Sequence, residues 1–303
     1  MSAHRKPRRR RSRVLTAAVL ALAAAGAGAV ALWLGLPDPG SLGRDIPRTT
    51  ALIEQRRAEA REKRRPFHPR QTWVPLERVS PRLIDAVVLS EDSGFWSHAG
   101  VDWEATRLAA REDLARGRYA RGASTITQQL AKNLWLGTGK SLWRKAKEAV
   151  LALKLERRLS KRRILGLYLN VAEWGEGVFG IEAGSRAHFG TAAADLTTAQ
   201  AVVLASMLPA PRRVDLGHPS TWLARRARRL LDRMRAVGRL SPEEHLHASA
   251  ELERILAGPA PLDDREEPPE EEPPAASVPQ NGGSGTAGQE AGSAAEEGGD
   301  PHE

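Results

Sequence analysis

Three short stretches gather residue types that can move protons and steady anions. In Ser90–Gly100 (SEDSGFWSHAG), Glu91 and Asp92 stand where an apolar run ends, followed by Gly94, Phe95, Trp96 and His98. A carboxylate at a helix C-terminus beside aromatic rings is disfavoured as an anion by the helix dipole and by poor solvation. That is a setting for a general acid or base near neutrality. The same residues would also simply start a turn, with His98 holding it by hydrogen bonding. In Arg121–Asn133 (RGASTITQQLAKN), Gly122 leads into Ser124 and Thr125, and Gln128, Gln129 and Lys132 gather on one side of the helix that follows. The free N–H groups of such a helix start favour an anion, although ordinary capping accounts for the pattern too. In Lys140–Glu148 (KSLWRKAKE), Arg144, Lys145 and Glu148 fall within one sector of about 100° on a helix. They make either an exposed ion pair worth under ~1 kcal/mol or an acid held beside phosphate-binding cations. Together an acid, hydroxyls and amides, and a cationic face with a second acid are the parts for glycosyl transfer from a phosphate-activated sugar. No G-x-S-x-G, P-loop, zinc-helix or Rossmann fingerprint is present.

The elements that must position these groups read as helices. Ser80-Pro81 opens one with an apolar face of Leu83, Ile84, Val87 and Val88, which carries Glu91 to its C-terminal end. Asp102 caps a helix through Leu114. Thr125 with Gln128, and Thr197 with Gln200, fit capping boxes. Ser141 and Ser160 open two more helices, the second with Ile164, Leu167, Tyr168 and Val171 at i, i+3, i+4, i+7. A very basic helix runs from Trp222 to Val237, and Ser241-Pro242 opens the last. No alternating strand stands out, so the domain reads as mainly α.

The chain has 303 residues and a net charge of +9, unevenly placed. Residues 263–303 hold 12 acids against Arg265, a net of −11, which leaves +20 on the rest. The basic part seeks an anionic partner: nucleic acid, membrane headgroups or a phosphorylated substrate. With no Cys there are no disulfides and no thiolate metal or redox sites. Residues 1–13 are basic, and 14–36 form a 23-residue uncharged run, long enough to cross a hydrocarbon core of about 30 Å. By the positive-inside rule the basic flank stays cytoplasmic and the rest is exported, which excludes a nucleic-acid role. A cleaved signal peptide is the other reading of this run, but it exceeds the usual apolar length, and Trp33 suits the far interface. Residues 37–72 read as a juxtamembrane stalk, 73–258 as the folded domain, and 259–303 as a disordered acidic tail rich in Pro, Gly and Glu.

The order EDSGFWSHAG, GASTITQQLAKN, RKAKE and KRRILGLYLN resembles the peptidoglycan glycosyltransferases, specifically the monofunctional biosynthetic type, over about Val79 to Pro211. The resemblance implies a lysozyme-like, mainly α fold behind one transmembrane helix. It also implies polymerisation of lipid II into glycan strands on the outer side of the cytoplasmic (inner) membrane. By that resemblance Glu91 is the general base and Asp92 its neighbour, and Glu148 is the acid associated with the donor diphosphate or its metal. Ser124, Thr125, Gln128, Gln129, Lys132, Lys140, Arg144 and Lys145 line the substrate. A divalent cation, Mg2+ or Mn2+, is implied as cofactor with its ligands unspecified. The partners implied are lipid II, the growing strand, the membrane and other cell-wall synthesis or division proteins. Two positions depart from the pattern: Gly166 stands where Glu is usual, and so does Gln200. Lys140 replaces a frequent Arg, keeping charge but losing the bidentate fork. Residues Arg116–Arg121, rich in Gly and Arg, are expected to order with substrate. Two rivals remain at this level: a lysozyme-like lytic transglycosylase or hydrolase of peptidoglycan, and a non-catalytic scaffold acting through the acidic tail.

Overall fold

A computed structural model describes residues 7–116, 124–139 and 141–258. Lys140, the acidic tail and most of the Arg116–Arg121 segment lie outside the described residues. The chain runs through α1 (Pro7–Gly35), α2 (Ala51–Glu62), β1 (Arg70–Gln71), α3 (Pro81–Glu91), α4 (Trp103–Arg116), α5 (Ile126–Ala131) and α6 (Leu142–Arg158). It continues through α7 (Lys161–Val171), β2 (Glu173–Gly175), β3 (Val178–Phe179), α8 (Ile181–Phe189), α9 (Thr198–Met207), α10 (Thr221–Ala236) and α11 (Pro242–Ala257). The fold is mainly α. Within α1, Leu15–Gly35 is long and apolar enough to cross a membrane.

The start signals behave as their chemistry requires. The hydroxyls of Thr50, Thr125, Ser141, Ser160, Thr197, Ser220 and Ser241 each accept a backbone N–H of the helix that follows. Reciprocal capping boxes close at Thr125/Gln128, Thr197/Gln200 and Ser241/Glu244. Ser80 differs: its hydroxyl donates to Leu196 O at 3.1 Å and so ties the start of α3 to the segment before α9.

Two helices carry the interior. In α7 the residues from Leu167 to Val171 are all buried, and in α9 so are those from Ala201 to Met207. A helix apolar on every side has to be buried on every side. α3, α10, α11 and α8 pack on α9, and α5 packs on both α6 and α7. One continuous apolar core results, in which Leu83, Val87, Ile126, Leu130, Leu155 and Met234 are fully enclosed.

Two expectations about the backbone change. A three-stranded sheet exists, with β3 pairing parallel to β1 and antiparallel to β2. Its strands are two or three residues long, too short to leave an alternating pattern in the sequence. The 37–72 segment, expected as a stalk, packs on the domain: Leu42 joins the main core, Leu52 and Ile53 cluster with Phe179, and β1 joins the sheet. The domain boundary therefore moves toward the N-terminus from residue 73. The charged face of α2 hid its small apolar one.

Candidate active site

α3 delivers two adjacent acids to different surroundings. Glu91 ends the helix and Asp92 caps it with extended backbone, so their side chains diverge. Asp92 turns inward and is buried. Its Oδ2 accepts the Ile126 N–H at 2.9 Å, and its two oxygens lie 2.9 and 3.0 Å from His98 Nε2. His98 Nδ1 accepts the Gly100 N–H at 3.1 Å, so the ring proton sits on Nε2 and is given to Asp92. His98 therefore holds the turn, and Asp92 fixes the start of α5 while also lining the cavity beside Glu91.

Glu91 faces a cleft. Arg226 Nη2 from α10 donates to its Oε1 at 3.1 Å and to Ser90 Oγ at 2.9 Å; Gln129 Nε2 from α5 donates to its Oε2 at 3.0 Å. This corrects the apolar, unsupported setting expected from Phe95 and Trp96. Phe95 is buried in the core and Trp96 is largely exposed, while charged and amide donors meet the carboxylate. Donors on both oxygens match the ionised form, which a base needs. Behind Gln129 the Tyr168 hydroxyl lies 3.1 Å from Oε1. A carboxylate only accepts, so the Gln129 amide must turn its NH2 to Glu91 and its oxygen to Tyr168, which donates. Burial first, then the charges of Glu91 and Asp92, push the Tyr168 phenol well above its ordinary value, so it keeps the proton it donates.

The second acid is not an exposed ion pair. Glu148 on α6 is buried, paired with Arg144 one turn earlier and with Lys145 Nζ at 2.9 Å. Lys145 Nζ also donates to Ser124 Oγ at 2.6 Å, joining the start of α5 to α6. Lys132 sits where α5 passes into a π-helical turn over Lys132–Leu136, a local widening common at functional sites. Burial lowers the Lys132 ammonium's pKa from the ordinary value; Glu148 and Glu91 oppose that, while Arg144 and Lys145 reinforce it.

Of the residues singled out in the sequence, Glu91, Gln129, Lys132, Ser124, Arg144, Lys145 and Glu148 are thus brought into one region. Thr125 and Gln128 are buried and close the capping box of α5, and Thr125, whose Oγ1 donates to Gly100 O at 2.6 Å, also lines the cavity beside Glu91. Arg226, Tyr168 and Arg233, whose Nη1 caps Leu89 O at 3.1 Å, were missed as site residues. The signal for Arg226 was its place beside the Leu223–Ala227–Leu230 stripe, at the edge of the buried face. Next to Glu91 a cavity of about 170 Å3 opens toward Ser124, Asp102 and Arg233.

The family model described as Transglycosylase matches residues 59–235. The chain belongs to the transglycosylase family. It is 44% identical over 188 residues to the biosynthetic peptidoglycan transglycosylase of Nitrosospira multiformis, covering 62% of this chain and 82% of that one. It is 48% identical over 168 residues to that of Chromobacterium violaceum, 55% and 74% of the two chains. To that of Bordetella pertussis it is 46% identical over 210 residues, 68% and 84%. Against this family the two departures have local meanings. Gln200 closes the capping box of α9, which either amide or carboxylate would do. Gly166 lines a surface cavity of about 400 Å3, where an added Cβ would meet only Leu76 Cβ at 3.7 Å.

A divalent cation fits this transglycosylase poorly as a protein-held ion. Among the described residues no three His, Asp or Glu side chains converge, and both Glu148 oxygens are taken by Arg144 and Lys145.

Proposed function

We propose that the chain polymerises lipid II into glycan strands, forming β-1,4 bonds with inversion at the sugar C1 and releasing undecaprenyl diphosphate. The observation that carries this reading is the pairing of one carboxylate at the edge of a cavity, Glu91, with a separate cationic cluster around Glu148. Glu91 accepts the proton of the acceptor's 4-hydroxyl as that oxygen attacks C1 of the growing chain. The C1–O bond to the diphosphate breaks on the opposite face and its electron pair leaves with the diphosphate. A diphosphate is a stable anion that needs charge stabilisation rather than a proton donor. Arg144, Lys145 and Lys132 supply that charge, with Glu148 holding the first two in place. Arg226 and Gln129 keep the Glu91 carboxylate aimed before the transfer. No step here runs through a divalent cation.

A hydrolase would want Glu91 protonated and would have no use for the cations. The two donors on Glu91 and the cluster around Glu148 favour the synthetic direction. On this reading α1 is a single-pass anchor in the cytoplasmic membrane, N-terminus inside, which keeps the site near a substrate whose lipid tail stays in the bilayer. The test is polymerisation of purified lipid II by detergent-solubilised protein, wild type beside Glu91→Gln. Strands from wild type, with a loss of about 100-fold or more in the variant at unchanged thermal stability, are expected. A Glu91→Gln protein as active as wild type, or a wild type that only cuts preformed glycan, overturns the proposal.

A further inference from the structure

The junction between α1 and α6 holds groups that the proposed reaction does not use. Lys154 is buried, and its Nζ donates to Trp33 O at 3.1 Å and Leu36 O at 2.6 Å. These are among the carbonyls left without partners where α1 ends, so one buried ammonium offsets the negative end of that helix. The remaining charge is unspent. Arg157 Cζ stacks 4.6 Å from the Trp33 ring, beside Lys154 Nζ at 5.5 Å, and Arg157 has no ion-pair partner among the described residues. Arg158 meets Asp38 Oδ2 at 3.3 Å, but both side chains are more than half exposed, which leaves that pair little net strength. Around these groups lies a cavity of about 610 Å3 whose other wall is Trp33, Leu34 and Leu36, with Asp38 beside Arg158 as its one acid among the described residues, so three cations face a single carboxylate. Leu34 is 76% exposed.

We propose that this cavity binds an anionic phospholipid, its phosphate between Arg157 and Arg158 above Lys154 and its acyl chain along Leu34 and Leu36. The inference rests on α1 being a retained anchor with its C-terminal end at the outer face. At that depth a Trp ring and snorkelling cations meet the headgroup layer. A phosphodiester supplies the acceptors that the stacked Arg157 guanidinium lacks and that Arg158 finds only in an exposed Asp38. A soluble phosphate would satisfy the cations too, but it would leave the apolar wall in water. The site also has a reason to exist: Glu148 lies six residues before Lys154 on α6, about 9 Å along its axis. A lipid seated here fixes the diphosphate-binding cations at headgroup level, where the substrate's own diphosphate lies.

The test uses the full chain in detergent micelles, titrated separately with phosphatidylglycerol, phosphatidylcholine and glycerol 3-phosphate, with retained ligand counted by native mass spectrometry. Wild type should retain phosphatidylglycerol over the other two. Arg157→Gln with Arg158→Gln should weaken that by about 25-fold, roughly fivefold per charge removed. Arg61→Gln, an exposed charge on α2, should change nothing. Equal retention of phosphatidylcholine would make the cavity merely apolar, and equal retention of glycerol 3-phosphate would make it a soluble-anion site. Undiminished binding in the double variant, or the same loss in Arg61→Gln, would remove the assigned residues; each of these outcomes overturns the proposal. Polymerisation of detergent-dispersed lipid II by the double variant should match wild type, which separates loss of the lipid site from loss of fold. Lipid retention is read without turnover, so failure of the Glu91 test would leave this result standing.

Discussion

The cleft and the cluster beneath the small sheet are both made of buried acids and arginines, and they end with opposite deficits. Under the sheet, Arg56 Nε and Nη2 donate to Glu173 Oε2 at 2.9 and 2.8 Å, and its Nη1 donates to Glu59 Oε1 at 2.8 Å. Among the described residues the buried polar atom left without a hydrogen bond there is an acceptor, Glu173 Oε1. In the cleft the leftover atoms are donors, Arg144 Nε and Arg226 Nε. A spare buried acceptor penalises the charge it carries: burial raises the Glu173 carboxyl despite the opposing hydrogen bond and charge of Arg56. Spare buried donors beside an open cleft suit an anion that arrives from outside. The first cluster braces α2 against β2, and the second keeps donors that the proposed reaction would use.

Substitution in each cluster should separate the two roles. Glu148→Gln removes the group that holds Arg144 and Lys145 together, so lipid II turnover should fall about 100-fold, in line with loss of one preorganised electrostatic contact. Steady-state kinetics on folded protein checks this; a loss confined to thermal stability would make Glu148 a brace like Glu173. Glu173→Gln should do the reverse. It leaves Arg56 with Glu59 alone and should cost about 1–3 kcal/mol, a melting temperature lower by roughly 5 °C. Turnover per folded molecule should be unchanged, and a fall in turnover without a fall in melting temperature would break the contrast.

Lys132 sharpens it through pH. Because burial lowers its pKa, the ammonium is lost as pH rises through a value below the ordinary lysine's 10.5. If that charge holds the diphosphate, kcat/KM falls on the alkaline side at that lower pH. Lys132→Arg keeps its charge and should carry the limb upward. A limb that stays in place in Lys132→Arg would assign the titration to another group.

How much of this the sequence disclosed depends on whether the signal was local. Helix starts at Thr125, Ser141, Ser160 and Thr197 were legible because a cap and its N–H lie three residues apart. The place of Glu91 at the end of α3 and the spacing of Glu148 from Arg144 were legible too, because helix ends and i, i+4 spacing are local as well. Arg226 reaching Glu91, 135 positions away in the chain, was not: its place at the edge of the apolar stripe turns it toward the domain but does not say which acid it meets. The electrostatic setting of Glu91 was misjudged for the same reason: the rings that follow it in the chain, Phe95 and Trp96, suggest an apolar setting, whereas in space it meets donors from α5 and α10. The packing of 37–72 on the domain rests on a few residues, Leu42, Leu52 and Ile53, each surrounded by charge or turn formers.

The smallest effect should come from the residue farthest from the reacting atoms. Tyr168 touches Gln129 and not Glu91, so Tyr168→Phe removes one hydrogen bond from a buried amide and leaves the carboxylate with both of its donors. A neutral hydrogen bond of this kind is worth about 0.5–1.5 kcal/mol, which sets the expected loss of turnover at about tenfold or less. The loss should appear in kcat rather than KM, because an amide free to flip spends part of its time with its oxygen facing Glu91, where it repels the ionised base. Gln129→Met deletes both orientations, so adding Tyr168→Phe to it should cost nothing further in turnover; a second, additive loss would show that Tyr168 acts through the packing of α7 rather than through the amide.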